Sequence, residues 1–216
     1  MLTESLTQPT GLLFNQLFGG GPLQDAMKLS IHSDYGFNAY LQSFRISEDD
    51  LSGTVLDIGS GKFELFSKGA AARGIKVISL NPRLVDEMQR EWVKRPVEGI
   101  EWQERSVAAL AQNLPFQDES FDTIVSHYSI PMWILEEEGV ITALREIVRV
   151  LKPGGKAYLG PPASIGQIEF IKGLDLGNNI YIRLEDHPLE GKDFIIKIDK
   201  TIAPPEVPTE LDPKKF

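Results

Sequence analysis

An acid followed by two closely spaced glycines, Asp57-Ile58-Gly59-Ser60-Gly61, is the stretch of this sequence best suited to hold a ligand. Glycine lets a backbone pass close to a bound group and take up turns that a side chain forbids. A helix that opens just after such a turn points unpaired N–H groups at an anionic part of the ligand. The spacing reads as a nucleotide-cradling turn. A dinucleotide fingerprint wants a third glycine three residues after the second, where helix and strand pack. Glu64 holds that position, which disfavours a nicotinamide-dependent oxidoreductase. The other group with reactive capacity is His127, in Ser126-His127-Tyr128-Ser129. Its intrinsic pKa lies near neutrality, so it is the candidate general base; a hydrogen-bonded structural histidine is the alternative reading. Tyr128, Met132 and Trp133 are candidates for an acceptor pocket or for core packing, and Tyr35, with His32, Asp34 and Tyr40 near it, adds candidates from the N-terminal part.

These residues need elements to position them. Thr54 to Asp57 reads as a strand, and Phe63, Phe66 and Ala70 then share one helix face, with Gly74 as the stop. Ile75–Leu80 reads as a second strand and Val85–Lys94 as a second helix, closed by Pro96. Ile100–Glu104 and Phe121–Ser126 supply a third and fourth strand. Val140, Leu144, Ile147, Val148 and Leu151 make a helical stripe behind an acidic first turn at Glu136-Glu137-Glu138, and Lys152-Pro153-Gly154-Gly155 ends it. Lys156–Gly160 is a fifth strand. Such alternation predicts a parallel sheet with helices on both faces and right-handed connections. Ile180–Leu184 and Phe194–Ile198 are separated by too few residues for a crossover helix and predict an antiparallel pair. A ligand cleft in an open sheet lies beyond the carboxyl ends of the strands, where both Gly59 and His127 fall.

The 216 residues suit one α/β domain with modest additions. We divide them into a helical N-terminal cover (1–50), an α/β domain (51–200) and a Pro-rich tail (201–216). A net charge of −9 repels phosphate backbones and argues against a nucleic-acid partner. No apolar run approaches the roughly 18 residues of a membrane span, so no membrane partner is expected. Absence of cysteine removes thiolate nucleophiles and thiolate metal sites, and no other spacing has metal-ligand logic. The first residues, Met1-Leu2-Thr3-Glu4, lack the basic start of a secretory leader, which makes the cytoplasm the expected location. Oligomeric state is left open.

Taken in order, these segments resemble the class I S-adenosylmethionine-dependent methyltransferase family, of the small-molecule, methyltransferase type 11-like kind. Three landmarks carry the resemblance: Val55-Leu56-Asp57-Ile58-Gly59-Ser60-Gly61; Leu114-Pro115-Phe116-Gln117-Asp118-Glu119-Ser120-Phe121-Asp122; and Arg145 through Lys152-Pro153-Gly154-Gly155. The fold implied is α/β, a seven-stranded, mostly parallel Rossmann-like sheet with helices on both faces and an antiparallel C-terminal hairpin. The resemblance implies S-adenosylmethionine as cofactor, held by Asp57, Gly59, Ser60 and Gly61, by Asn81 and Pro82 after the second strand, by Ser106 and Val107 after the third, and by Ser126. Within that fold His127 stays the candidate base, and Tyr128 and Trp133, with Tyr35 from the N-terminal cover where the family builds part of its substrate site, are the candidates against a small-molecule substrate.

The sequence departs from the family at three places. Asn81 stands where an acid usually receives the ribose hydroxyls, and an aspartate there is expected to tighten binding. No acid follows the third strand, where Ser106 and Val107 stand in its place, and Phe63 replaces the third glycine of the first landmark. These changes leave a second reading, a non-catalytic methyltransferase-like protein that has lost its cofactor.

Overall fold

The computed structural model describes residues 35–94, 105–186 and 194–202. Seven strands form one sheet in the order β3-β2-β1-β4-β5-β7-β6. They are β1 (Thr54–Ile58), β2 (Lys76–Leu80), β3 (Ser106–Val107), β4 (Phe121–His127), β5 (Leu151–Gly160), β6 (Ile180–Asp186) and β7 (Phe194–Lys200). The first five pair in parallel; β7 runs antiparallel to β5 and β6 antiparallel to β7. This is the expected architecture. Helices α1 (Phe37–Phe44), α2 (Leu65–Ala71), α3 (Glu87–Val93), α4 (Glu137–Val150) and α5 (Ile165–Lys172) connect or cover the strands.

Side chains alternate across a strand, and that period sorts the core into two layers. Leu56, Ile58, Leu80, Ile124 and Leu159 point to one face and pack with Val140, Leu144 and Ile147 of α4 and Ile171 of α5. Val55, Val77, Val125 and Tyr158 point to the other and pack with Phe37, Tyr40 and Phe44 of α1 and Phe66 and Ala70 of α2. The same alternation sends Asp57, Ser79 and His127 to the α1–α2 face. All three are buried there.

Several boundaries differ from the sequence-based expectation. The first helix opens at Leu65, so Phe63 lies in the turn, half-buried, with the Lys62 ammonium 5.2 Å from its ring centroid. The second helix is split: a 3-10 turn over Pro82–Val85 starts from Asn81, and Asp86, extended, accepts a bond from the Met88 N–H and starts α3 afresh. Asx side chains at such positions compete with the backbone for its own N–H groups. The strand expected over Ile100–Glu104 lies outside the described residues, and the third strand within them is Ser106–Val107. Lys152-Pro153-Gly154-Gly155 does not separate α4 from the fifth strand; it is an irregular start of β5, where Leu151 pairs with Phe121 and Lys156 with Thr123. Helix α5 has no counterpart in the sequence reading. Its signal was the N-cap serine of Ser164-x-x-Gln167: Ser164 Oγ accepts from the Gln167 N–H, and Gln167 Oε1 accepts from the Ala163 N–H just before the cap.

Candidate active site

Register places the candidate residues side by side along the carboxyl edge of the sheet. Ile58 pairs with Leu80, and Leu80 with Val107. Asp57 pairs with Val125, and His127 with Gly160. One residue beyond the Ile58–Leu80 pair, Asn81 stands next to Gly59, and two residues beyond the Asp57–Val125 pair, Gly59 comes level with His127. The Gly59 N–H donates to the Leu80 carbonyl at 2.7 Å, which extends the parallel ladder into the turn.

Gly59 and Gly61 both have left-handed backbones, at φ 81 and 78°. A Cβ built on Gly59 would run into the Ser129 side chain, so the loop after β4 closes directly over this glycine. Both the φ angle and the packing therefore require glycine. Of the four non-glycine residues with positive φ among the described residues, Glu64 at 53° and Tyr128 at 50° lie at this edge, and Arg45 and Glu119 lie elsewhere; the conformation costs roughly 1–2 kcal/mol for an L-residue. Such outliers gather at ligand sites.

Behind the turn lies a polar cluster centred on Glu64, whose residue is fully buried. Ser106 Oγ donates to its Oε2 at 2.8 Å and Ser60 Oγ to its Oε1 at 3.4 Å. Ser79 of β2 adds a hydroxyl to the cluster, and the Ser79 and Ser67 hydroxyls bond each other. Burial pushes the Glu64 carboxyl pKa up; the serine hydroxyls and the Lys68 ammonium oppose that shift. Lys68, one turn further along α2, is itself buried and donates to the Val93 carbonyl at 2.6 Å.

Asn81 is committed at both ends of its carboxamide. Its Nδ2 donates to the Gly61 carbonyl at 2.8 Å, and its Oδ1 accepts from the Arg83 N–H at 3.0 Å. One side chain thus fixes the glycine turn and caps the 3-10 turn that follows. An aspartate would keep the second bond and set a carboxylate oxygen against the Gly61 carbonyl, which removes the reason to expect a gain from that substitution.

The β4 side of the edge is built of rings. His127, 4% exposed, has the Tyr35, Tyr40, Tyr128 and Phe44 centroids at 4.5, 4.8, 4.7 and 5.4 Å. Tyr35 and Tyr128 stack on each other at 5.2 Å, 8° from parallel. The Tyr40 hydroxyl donates to Asp57 Oδ1 at 3.1 Å, so α1 reaches the acid of the glycine turn. Trp133 is 53% exposed and donates from its indole N–H to the Tyr128 carbonyl at 2.8 Å. Ser126 donates to the Ile58 carbonyl and accepts from the Ile130 N–H, both at 2.9 Å, which ties the loop after β4 to the end of β1.

The structure therefore brings Asp57, Gly59, Ser60, Gly61, Asn81 and Ser126 to one edge, with Ser106 reaching it through Glu64, and it gathers Tyr35, His127 and Tyr128 in one ring cluster with Trp133 on its loop. Pro82 opens the 3-10 turn and Val107 ends β3 beside Leu80. Sequence reasoning passed over Glu64 as a ligand-site residue; an acid directly after a glycine turn was the available signal. A separate polar cleft on β5, β7 and β6, bordered by Arg45, Lys156, Arg183 and Lys197, carries its own acids: Arg183 pairs with Asp199, Lys197 with Glu185 and Lys156 with Asp50. It lies on other strands than the glycine turn, and its paired surface charges have small energetic weight. Among the described residues no helix is long and apolar enough to cross a membrane.

A family model described as a methyltransferase domain matches residues 56–159, from β1 almost to the end of β5. The ubiquinone/menaquinone biosynthesis C-methyltransferase UbiE of Rickettsia typhi is 29% identical over 138 residues, 62% of this chain and 52% of the relative. Its counterpart in Rickettsia bellii is 32% identical over 111 residues, 50% of this chain and 43% of the relative. The chain thus spans about half the length of the curated relatives it matches. Among solved structures, a putative S-adenosyl-L-methionine-dependent methyltransferase from Methanococcus maripaludis superposes with a TM-score of 0.54 at 22% identity, covering 84% of this chain and 93% of that one. At that identity the likeness is one of fold.

Proposed function

We propose, from the methyltransferase-domain match over residues 56–159, that the chain is a class I S-adenosylmethionine-dependent methyltransferase that transfers a methyl group from S-adenosylmethionine to a small-molecule acceptor. The observation that carries the reading is the edge row: a left-handed glycine turn just past the end of β1, packed against Ser129 of the loop after β4, with His127 ending that neighbouring strand. In an open α/β sheet this is the ligand crevice.

The residues present suit the cofactor. Gly59 takes a conformation and a packing that no other residue tolerates, and the buried Asp57 is held from above by Tyr40. Asp57, Gly59, Ser60 and Gly61 would hold its methionine part, Asn81 and Pro82 the ribose, and Ser106 and Val107 the adenine, with Ser126 fixing the floor between β1 and β4. Because Ser60, Asn81 and Ser126 already have protein partners, direct contacts fall mainly to the turn's main chain and to remaining lone pairs.

When bound, S-adenosylmethionine supplies a methyl group on a sulfonium. The protein's share is proximity and alignment first. The stacked Tyr35 and Tyr128 would bound the acceptor on the β4 side, and Trp133 would line its approach. His127 would take the proton of an N–H or O–H acceptor, and its ring shell would keep water from the reacting atoms. The Rickettsia relatives' printed role, C-methylation in quinone biosynthesis, supports the reaction class at this identity and leaves the acceptor of this chain to experiment.

Calorimetry with S-adenosylhomocysteine tests the reading. Binding tighter than about 1 mM, equivalent to roughly 4 kcal/mol, is expected. No detectable heat at millimolar ligand, with the protein folded by circular dichroism, would favour the second reading, in which the fold persists without its cofactor.

A further inference from the structure

The family's adenine-side acid is missing from this sequence, yet a carboxylate stands one residue layer behind the place where it would be. Glu64 is fully buried, while Ser106, which donates to it at 2.8 Å, is half-buried. The two are brought together by three local facts. Ser79 and Ser106 are paired in register on β2 and β3, so both hydroxyls lie on the α1–α2 face. The left-handed backbone of Glu64, the N-cap residue of α2, turns its side chain under the glycine turn toward that pair. Among the described residues strand β3 contributes Ser106 and Val107 to the sheet, and this side-chain bond adds to the main-chain bonds that hold them there.

We propose that Glu64 is a positioning residue that sets the polarity of Ser106, making the serine an obligate hydrogen-bond acceptor for the exocyclic amino group of the adenine ring. An ionised carboxylate only accepts; a serine hydroxyl has one hydrogen and two lone pairs. With its hydrogen committed to Glu64, Ser106 can offer the cleft lone pairs alone, and a purine amino group donates where a purine carbonyl does not. Ser60 is oriented by the same carboxylate, at 3.4 Å. The remaining groups around Glu64 are Ser79, whose hydroxyl also favours the ionised form, and Lys68, whose positive charge does the same. The inference rests on the cofactor reading above, because it assigns the base of that cofactor to the β3 end of the cleft. It explains how a site lacking the usual acid can still select adenine: the charge is kept, but moved behind a hydroxyl that transmits its polarity.

The experiment compares S-adenosylhomocysteine with S-inosylhomocysteine, in which a carbonyl replaces the amino group, by calorimetry at about pH 8, where a carboxyl even well above its usual range is ionised. Wild-type protein is expected to prefer the adenosine compound by about tenfold or more, the scale of one hydrogen bond lost against an unmet partner. Ser106→Ala should abolish most of that preference. Glu64→Gln, whose amide can donate to Ser106 and free the serine hydrogen for a purine carbonyl, should reduce the preference to within about threefold, mainly by raising the inosine compound's affinity. Equal weakening of both ligands in Glu64→Gln and Ser106→Ala would mean that the pair merely supports the fold, and would overturn the proposal alone. Wild-type protein that binds neither compound would overturn the functional reading, and this inference with it.

Discussion

On the β2–β3 side of the glycine turn, polar side chains meet one another: Ser60, Ser79 and Ser106 on Glu64, and Asn81 on the Gly61 carbonyl. On the β4 side the contacts are between rings, with Tyr35, Tyr40, Phe44 and Tyr128 around His127. The two halves of one cleft are thus held by different forces. Hydrogen bonds are directional and fix donors and acceptors, which suits the side assigned to a nucleoside with a defined pattern of polar atoms. Ring contacts are shape-dependent and tolerant of rotation, which suits the side assigned to a variable acceptor. Asp57 joins the halves: it belongs to the glycine turn and accepts its bond from Tyr40 of the ring side.

The comparison predicts that the halves fail in different ways. The largest effect is expected on the ring side. Phe44, 1% exposed and in contact with His127, Tyr40 and Tyr158, should cost about 3–5 kcal/mol on replacement by Ala. Urea denaturation would read this as a lower midpoint. Next comes Gly59→Ala. Its positive φ and its collision with Ser129 together should cost about 2–4 kcal/mol. Adding Ser129→Gly should return the steric share and leave the backbone share of roughly 1–2 kcal/mol. A double variant no more stable than Gly59→Ala would show that the loop after β4 does not close on this glycine.

On the polar side, Asn81→Asp exchanges the donor to the Gly61 carbonyl for an oxygen and is expected to cost about 1–3 kcal/mol, the range for a buried group left without its partner. It should weaken S-adenosylhomocysteine binding in the same calorimetric assay; tighter binding would show that the ribose takes its bonds from this carboxamide's position directly and that the Gly61 contact matters little. The smallest effect is a pH dependence. Burial raises the Glu64 carboxyl pKa in the folded protein above its unfolded value. A raised acid contributes stability that is fully present below the unfolded value, near 4.5, and is lost as pH rises through the folded value. Glu64→Gln carries no such term, so its stability relative to wild type should improve on going from about pH 4 to about pH 8. A constant difference across that window would remove the buried ionisable carboxyl from the account.

Much of the framework could be read from the residues because it rests on periodic or covalent constraints. The strand alternation, the apolar stripe of Val140, Leu144 and Ile147, and the short link between β6 and β7 each fix an element or a pairing direction locally. Elements governed by capping chemistry were harder: Asp86 restarts α3, and Ser164 with Gln167 builds α5, through side-chain bonds that leave no hydrophobic period. The site divides in the same way. Gly59 and His127 were recognisable from type and position along their strands. Glu64 was not, because its role comes from the left-handed turn that sends it beneath the sheet edge toward serines 15 and 42 residues away in sequence, Ser79 and Ser106.

The most direct test of the central claim is a crystal structure of the protein grown with S-adenosylhomocysteine. The account predicts the homocysteine part against the Gly59–Gly61 turn, the ribose near Asn81, the base against Ser106 and Val107, and the sulfur facing the His127 and Tyr128 side. A nucleoside bound away from the carboxyl edge of β1 and β2, or an unchanged Ser129 and Phe63 arrangement that leaves the adenosyl group no seat at millimolar ligand, would contradict it.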